Sequence, residues 1–268
     1  MSIFHVVRNW MDYPLRSQLR WSRKGLQFKN ESKKGLYEDL PDTLRMQAMR
    51  LEARFRKKYH LNPYYHSSRK IHYQEAVYYL HMLESTLEAA SADLPQDVCA
   101  VDIGASHWFY VQVLYSLLAW WNTPEPRNVT LDGYEVDAYR LYADLYSRYD
   151  HAQAHIDGLP GVSYHPEAFT PDSKNHLALM LFPFITRKEH LRWGLPARMY
   201  DPQRLLMDVY NSLRPGGLLI LSNQGVEERD IQHDLLKANG LVIQTSYNFD
   251  SPLFYYKLPR FITVVKHD

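Results

Sequence analysis

The chain has 268 residues, of which 46% are hydrophobic and 14% aromatic, enough to bury a full core and too apolar for a disordered segment. Its longest apolar stretch, residues 177–185 with Pro183 inside, falls short of the roughly 20 residues a membrane helix needs, so neither a bilayer-spanning segment nor a membrane partner is expected. The net charge of +1 conceals two unlike parts: residues 1–70 hold 16 Lys/Arg against 6 Asp/Glu, whereas the remainder holds 15 against 24.

The opening apolar run meets Arg8 and Asp12 too soon for a secretory signal. The single cysteine, Cys99, can form neither an internal disulfide nor a cysteine-based metal site. Both observations point to a cytoplasmic address.

The first 40 residues mix Trp10, Pro14 and Trp21 with basic pairs and show no sustained period, so they read as irregular or short helical. Residues 41–59 place Leu44, Met46, Met49, Leu51 and Phe55 among basic residues, the pattern of a basic amphipathic helix, and Asn62-Pro63 breaks it. A second helix is expected over residues 71–90, with Val77, Leu80, Leu83 and Leu87 at helical spacing. Residues 1–95 therefore form a basic, mainly helical extension and residues 96–268 a separate unit.

In that second unit short apolar runs alternate with helical stretches, the mark of βαβ units around a parallel sheet. Strands are expected at 98–103, 129–134, 161–165, 176–181, 218–222, 241–247 and 261–265. Helices are expected at 109–120, 138–149, 202–213 and 227–238, the last opened by Glu227, Glu228 and Asp230 and closed by Asn239-Gly240.

Ligands of open α/β sheets sit beyond the carboxyl ends of the strands. The first strand ends in Asp102-Ile103-Gly104-Ala105-Ser106 and the second in Glu135-Val136-Asp137. A carboxylate at the second edge is suited to the two hydroxyls of a ribose, so a nucleoside-containing ligand is expected.

Asp102-x-Gly104-x-Ser106, Gly133-Tyr134-Glu135-Val136-Asp137 and Leu213-Arg214-Pro215-Gly216-Gly217-Leu218 together resemble, in order and spacing, the motifs of class I S-adenosylmethionine-dependent methyltransferases. The resemblance covers residues 98–266. It implies a Rossmann-like seven-stranded sheet, mostly parallel with an antiparallel last strand and helices on both faces, and S-adenosylmethionine as cofactor. It further implies that Asp102 and Gly104 border the methionine part, that Glu135 holds the ribose, that Glu167, Ala168 and Phe169 lie near the adenine, and that Ala105, Ser106, Val136 and Phe182 complete the cofactor-binding set.

Where the family carries further glycines, this chain has Ser106 and Trp108, whose side chains crowd a loop that glycine normally keeps open. A non-catalytic scaffold that has lost the cofactor is therefore the alternative to methyl transfer. Methyl transfer requires alignment more than an obligatory base, and the sequence names no catalytic residue. Residues 181–184, Leu-Phe-Pro-Phe, lack the Asn/Asp-Pro-Pro-aromatic pattern of many amino-group methylators, and residues 187–200 are a candidate lid. The acceptor, small molecule or RNA, is left open.

His151 and His155 stand one helical turn apart, but without a third ligand they are no metal site; His107 beside the loop reads as a helix-start residue before it reads as a base. Cys99, inside the first strand, is expected to be buried. The Arg, Lys, Trp and Tyr residues of the basic segment suit RNA phosphates and bases, but docking on the acidic remainder of the same chain or of a partner subunit is the favoured reading.

Overall fold

The computed structural model describes residues 3–172 and 174–268, with the N-terminal side chains described from residue 6. The elements run α1 (Ile3–Leu19), α2 (Asp42–Lys58), α3 (Asn62–Ser67), α4 (Lys70–Ala89), β1 (Asp97–Ile103), α5 (Val111–Trp120), β2 (Asn128–Tyr134), α6 (Arg148–Ile156), β3 (Val162–His165), β4 (Asn175–Leu181), α7 (Arg187–Arg192), α8 (Pro202–Asn211), β5 (Leu213–Gln224), α9 (Gly225–Ala238), β6 (Ile243–Phe249) and β7 (Arg260–Lys266), with a 3-10 turn at Ala197–Met199. The seven strands form one sheet in the order β3-β2-β1-β4-β5-β7-β6. Neighbours are parallel except at β7, which runs antiparallel to both β5 and β6. This is the Rossmann-like seven-stranded architecture expected above.

Alternation along the strands sorts the core into two layers. Val98 and Ala100 of β1 join α4, α5 and the buried face of α2 on one side of the sheet. Val101 and Ile103 join Leu206 and Val209 of α8 and Leu236 of α9 on the other. Asp102 shares its face with Val98 and Ala100, so its side chain points into the α4–α5 layer.

Four expectations are corrected. Residues 3–19 form one continuous helix in place of the irregular or short helical chain expected; its apolar residues do recur at helical spacing, but they face outward rather than into a core. The helix expected at 138–149 begins instead at Arg148: Ser147 Oγ accepts the Asp150 N–H at 3.2 Å and Asp150 Oδ2 accepts the Ser147 N–H at 2.8 Å, a capping box that fixes the start. Residues 138–147 form a loop pinched by a bridge between Leu141 and Ser147. The strand expected at 218–222 begins already at Leu213, with Pro215-Gly216-Gly217 inside it as an irregularity: Asn175 faces Leu213 but Leu177 faces Leu218, and the Gly216 N–H donates to the His267 carbonyl at 2.8 Å. Cys99 is half-buried, not buried, and its N–H donates to His176 Nδ1 at 3.0 Å.

Candidate functional site

The loop after β1 is where the sequence departs from the glycine-rich pattern, and its backbone keeps the pattern nonetheless. Gly104, Ser106 and Trp108 have φ of +80°, +54° and +52°, all left-handed. For Ser and Trp that conformation costs about 1–2 kcal/mol each. The compensation is visible. Trp108 is completely buried, and about 200 Å² of aromatic surface at about 25 cal/mol per Å² contributes roughly 5 kcal/mol, so burial wins. Its indole lies against Gly133 of β2, where a Cβ would meet the ring at 2.6 Å, and its N–H donates to Asp102 Oδ2 at 2.8 Å.

Asp102 is thus placed behind the loop. Tyr110 also donates to its Oδ2, at 2.7 Å, while Oδ1 is buried without a partner. Burial pushes this carboxyl up to about 6, and the two hydrogen bonds only partly offset it. Tyr79 of α4 stacks on Tyr110 with centroids 4.7 Å apart, completing a wall of aromatic rings.

The N–H groups of Gly104 and Ala105 donate to the Tyr134 carbonyl at 2.9 and 3.1 Å. Glu135 binds the same loop: its Oε2 accepts the Ser106 N–H at 3.0 Å and its Oε1 the Asp137 N–H at 2.7 Å. Tyr164 donates to the Ser106 carbonyl at 2.6 Å. Beside this braced segment, a Cβ on Gly104 would meet nothing within 4 Å, so the backbone borders open space.

Arg148, buried, stands 3.7 Å from Glu135 and 3.8 Å from Asp137. Asp137 also receives Arg140 at 2.7 Å and Arg16 at 2.5 Å. Burial raises the Glu135 carboxyl above its ordinary range, against the pull of Arg148 and two backbone donors.

Helix α1 crosses this edge of the sheet. Tyr13 donates to the Val136 carbonyl at 3.0 Å and Arg16 to that of Gly194 at 2.8 Å, while Asn9 donates to the carbonyls of Leu191 and Leu195 at 2.7 and 3.1 Å. The candidate lid, residues 187–200, therefore packs on α1. Between α1 and the segments after β2 and β3 a pocket of ≈ 290 Å³ has Val136, Glu167 and Ala168 on one side and Tyr13, Ser17 and Arg20 on the other, with Met199 of the lid at its border.

The structure brings Gly104, Ala105, Ser106 and Glu135 together through hydrogen bonds, and Val136, Glu167 and Ala168 together in the pocket. Phe182, also left-handed at φ +60°, packs elsewhere: the Arg260 guanidinium lies 4.7 Å from its ring and Tyr79 6.3 Å away. Sequence reading passed over Tyr13, Arg16, Arg140 and Arg148, because nothing in their spacing links them to residues 135–137.

A histidine cluster adjoins the loop. His107 lies 6.0, 6.2 and 6.4 Å from the rings of His72, His151 and His155, and Phe28 stacks on His155 at 4.1 Å. Burial pushes His107 down to about 3 and lowers the other three, so all four are neutral near pH 7. His107 Nδ1 is 3.0 Å from the Tyr142 hydroxyl. Among the described residues no group of three or more His, Cys, Asp or Glu is arranged for a metal ion.

No protein-family model matches the sequence, and no curated protein matches it. Solved structures with similar folds include a SAM-dependent methyltransferase from Aquifex aeolicus (14% identity, TM-score 0.47, covering 69% of this chain and 89% of that one). Another is geranyl diphosphate C-methyltransferase from Streptomyces coelicolor A3(2) (10%, 0.47, 70% and 76%). A SAM-dependent methyltransferase from Leishmania major aligns over more of the chain (12%, 0.48, 91% and 98%). Likeness at this level adds nothing to the strand order itself. The sheet order and its antiparallel β7 give this chain the class I, Rossmann-like methyltransferase fold.

Proposed function

We propose that the chain binds S-adenosylmethionine and transfers its methyl group to an acceptor. The observation that carries this reading is the loop of residues 104–108. It keeps three left-handed positions, it is braced by Glu135, and it opens on space beside Gly104. A glycine-type loop is costly with Ser and Trp in it, and both are retained in the conformation that lets a ligand approach the backbone.

In this reading residues 104–106 border the methionine part, and Glu135 takes the ribose with the acceptor lone pairs that the two backbone amides leave unused. Val136, Glu167 and Ala168 line the adenine side. Asp102 sets the loop from behind through Trp108. The cofactor supplies a methyl group already activated by its sulfonium charge. The chain's own task is to hold the acceptor in line and to exclude water, with α1 and residues 187–200 as the cover.

Calorimetric titration with S-adenosylmethionine and S-adenosylhomocysteine tests this. Micromolar binding that weakens at least tenfold in Glu135→Gln supports the reading. Absence of binding up to millimolar ligand, by a protein with a normal thermal transition, leaves a scaffold without cofactor and sinks it.

A further inference from the structure

Helix α1 is amphipathic in the reverse sense. At 100° per residue Asn9, Tyr13 and Arg16 share one face, and that polar face makes the bonds to residues 136, 137, 191, 194 and 195 described above. Val7, Met11 and Leu15 lie on the opposite side, with Trp10 and Leu19 at its borders and Arg8 and Gln18 among them, all exposed, Trp10 at 64% and Leu19 at 72%. A surface helix ordinarily buries its apolar side and shows its polar one. An apolar face this wide turned to water marks an interaction site.

The ridge continues past the helix. Trp21, half-exposed, donates its indole N–H to the Leu145 carbonyl at 3.2 Å, and Leu145 is 59% exposed. Cations gather at that end: the Arg23 guanidinium sits 4.5 Å from the Tyr146 ring, and Arg23, Lys24, Lys29 and Lys34 are all exposed. Residues 1–34 hold eight Lys/Arg against two Asp/Glu.

We infer that the outward face of α1, together with the basic segment that follows it, adsorbs to an anionic lipid surface. Indoles and aliphatic side chains beside exposed cations are the chemistry of a helix that lies in the headgroup plane. A second copy fits less well, because a two-fold pairing of this face would bring together two net-basic segments, each with Arg23, Lys24, Lys29 and Lys34 exposed. Among the described residues no helix is long and apolar enough to cross a membrane, and adsorption requires none. The inference stands independently of the cofactor reading.

Co-sedimentation of the full chain with vesicles of phosphatidylcholine mixed with phosphatidylglycerol, and of phosphatidylcholine alone, tests it. Expected are binding to the mixed vesicles with a blue shift of tryptophan emission, binding at least tenfold weaker to the neutral ones, and a loss at high salt. Trp10→Glu with Leu15→Glu, both solvent-facing, should abolish binding at an unchanged thermal transition, and Arg23→Glu with Lys24→Glu should weaken it at least tenfold. No sedimentation with the mixed vesicles overturns the inference. So does binding that survives the Trp10→Glu, Leu15→Glu pair, which would assign adsorption to the basic segment alone. A dimer that dissociates in that pair, without vesicle binding, would assign the face to a second copy instead.

Discussion

The Trp108 indole occupies the space that a side chain at residue 133 would need, with its N–H held by Asp102 at 2.8 Å. Gly133→Ala places a methyl 2.6 Å from that ring and should cost about 1–3 kcal/mol, read as a lowered midpoint of thermal or urea unfolding. Gly104→Ala meets no atom and should cost only about 1–2 kcal/mol, from its left-handed backbone. A Gly133→Ala variant as stable as the parent would mean that the ring does not sit there.

Trp108→Gly restores the glycine of the family pattern but removes a fully buried indole. The core loss of about 3–5 kcal/mol outweighs the relief of about 1–2 kcal/mol of backbone strain. The variant should be less stable than the parent, and an unfolding curve decides the sign.

Glu135→Gln replaces one acceptor by a donor facing the N–H of either Ser106 or Asp137. A destabilisation of about 1–3 kcal/mol should accompany its loss of ligand affinity. Glu167→Gln, exposed at the pocket, should leave the unfolding midpoint unchanged. Comparing the two separates bracing of the loop from contact with ligand.

Acid should destabilise the fold. The sign follows from proton counts: a histidine whose folded pKa is depressed contributes stability that is present above about pH 6.5 and is lost as pH falls. Eight histidines are lowered by burial, His107 to about 3. Four carboxyls, Glu75, Asp102, Glu135 and Glu228, are raised and act in the opposite direction, Asp102 between about pH 4 and about 6. The histidines are the majority, so stability should fall from pH 6.5 to 5. His107→Gln with His155→Gln should flatten that slope and Asp102→Asn should steepen it, as read from urea midpoints across pH. A slope unchanged by the histidine pair would mean that the cluster is open to solvent.

Arg16→Ala removes a hydrogen-bonded ion pair whose Asp137 partner is 2% exposed, and should release α1 from the sheet edge. The expected result is amide exchange over residues 6–19 accelerated at least tenfold, with α4 and the sheet unaffected. Global acceleration would show instead that α1 supports the whole fold.

The strands were legible because a parallel sheet covered on both sides leaves short apolar runs, and those runs lie within one to five residues of the observed strands. Asp102, Gly104 and Glu135 were legible as strand-end positions in a known order. By itself the sequence determined the sheet, its two helical layers and the edge that carries the loop, since each depends on local periodicity. Tertiary structure alone decided that Ser106 and Trp108 keep the glycine conformation, because the compensation comes from Gly133 and Asp102, on other parts of the chain. It alone placed α1 over residues 136 and 137 and turned its apolar face outward, because direction is set by what a helix packs against. The three arginines around Asp137 come from positions 16, 140 and 148, a convergence that no spacing rule connects.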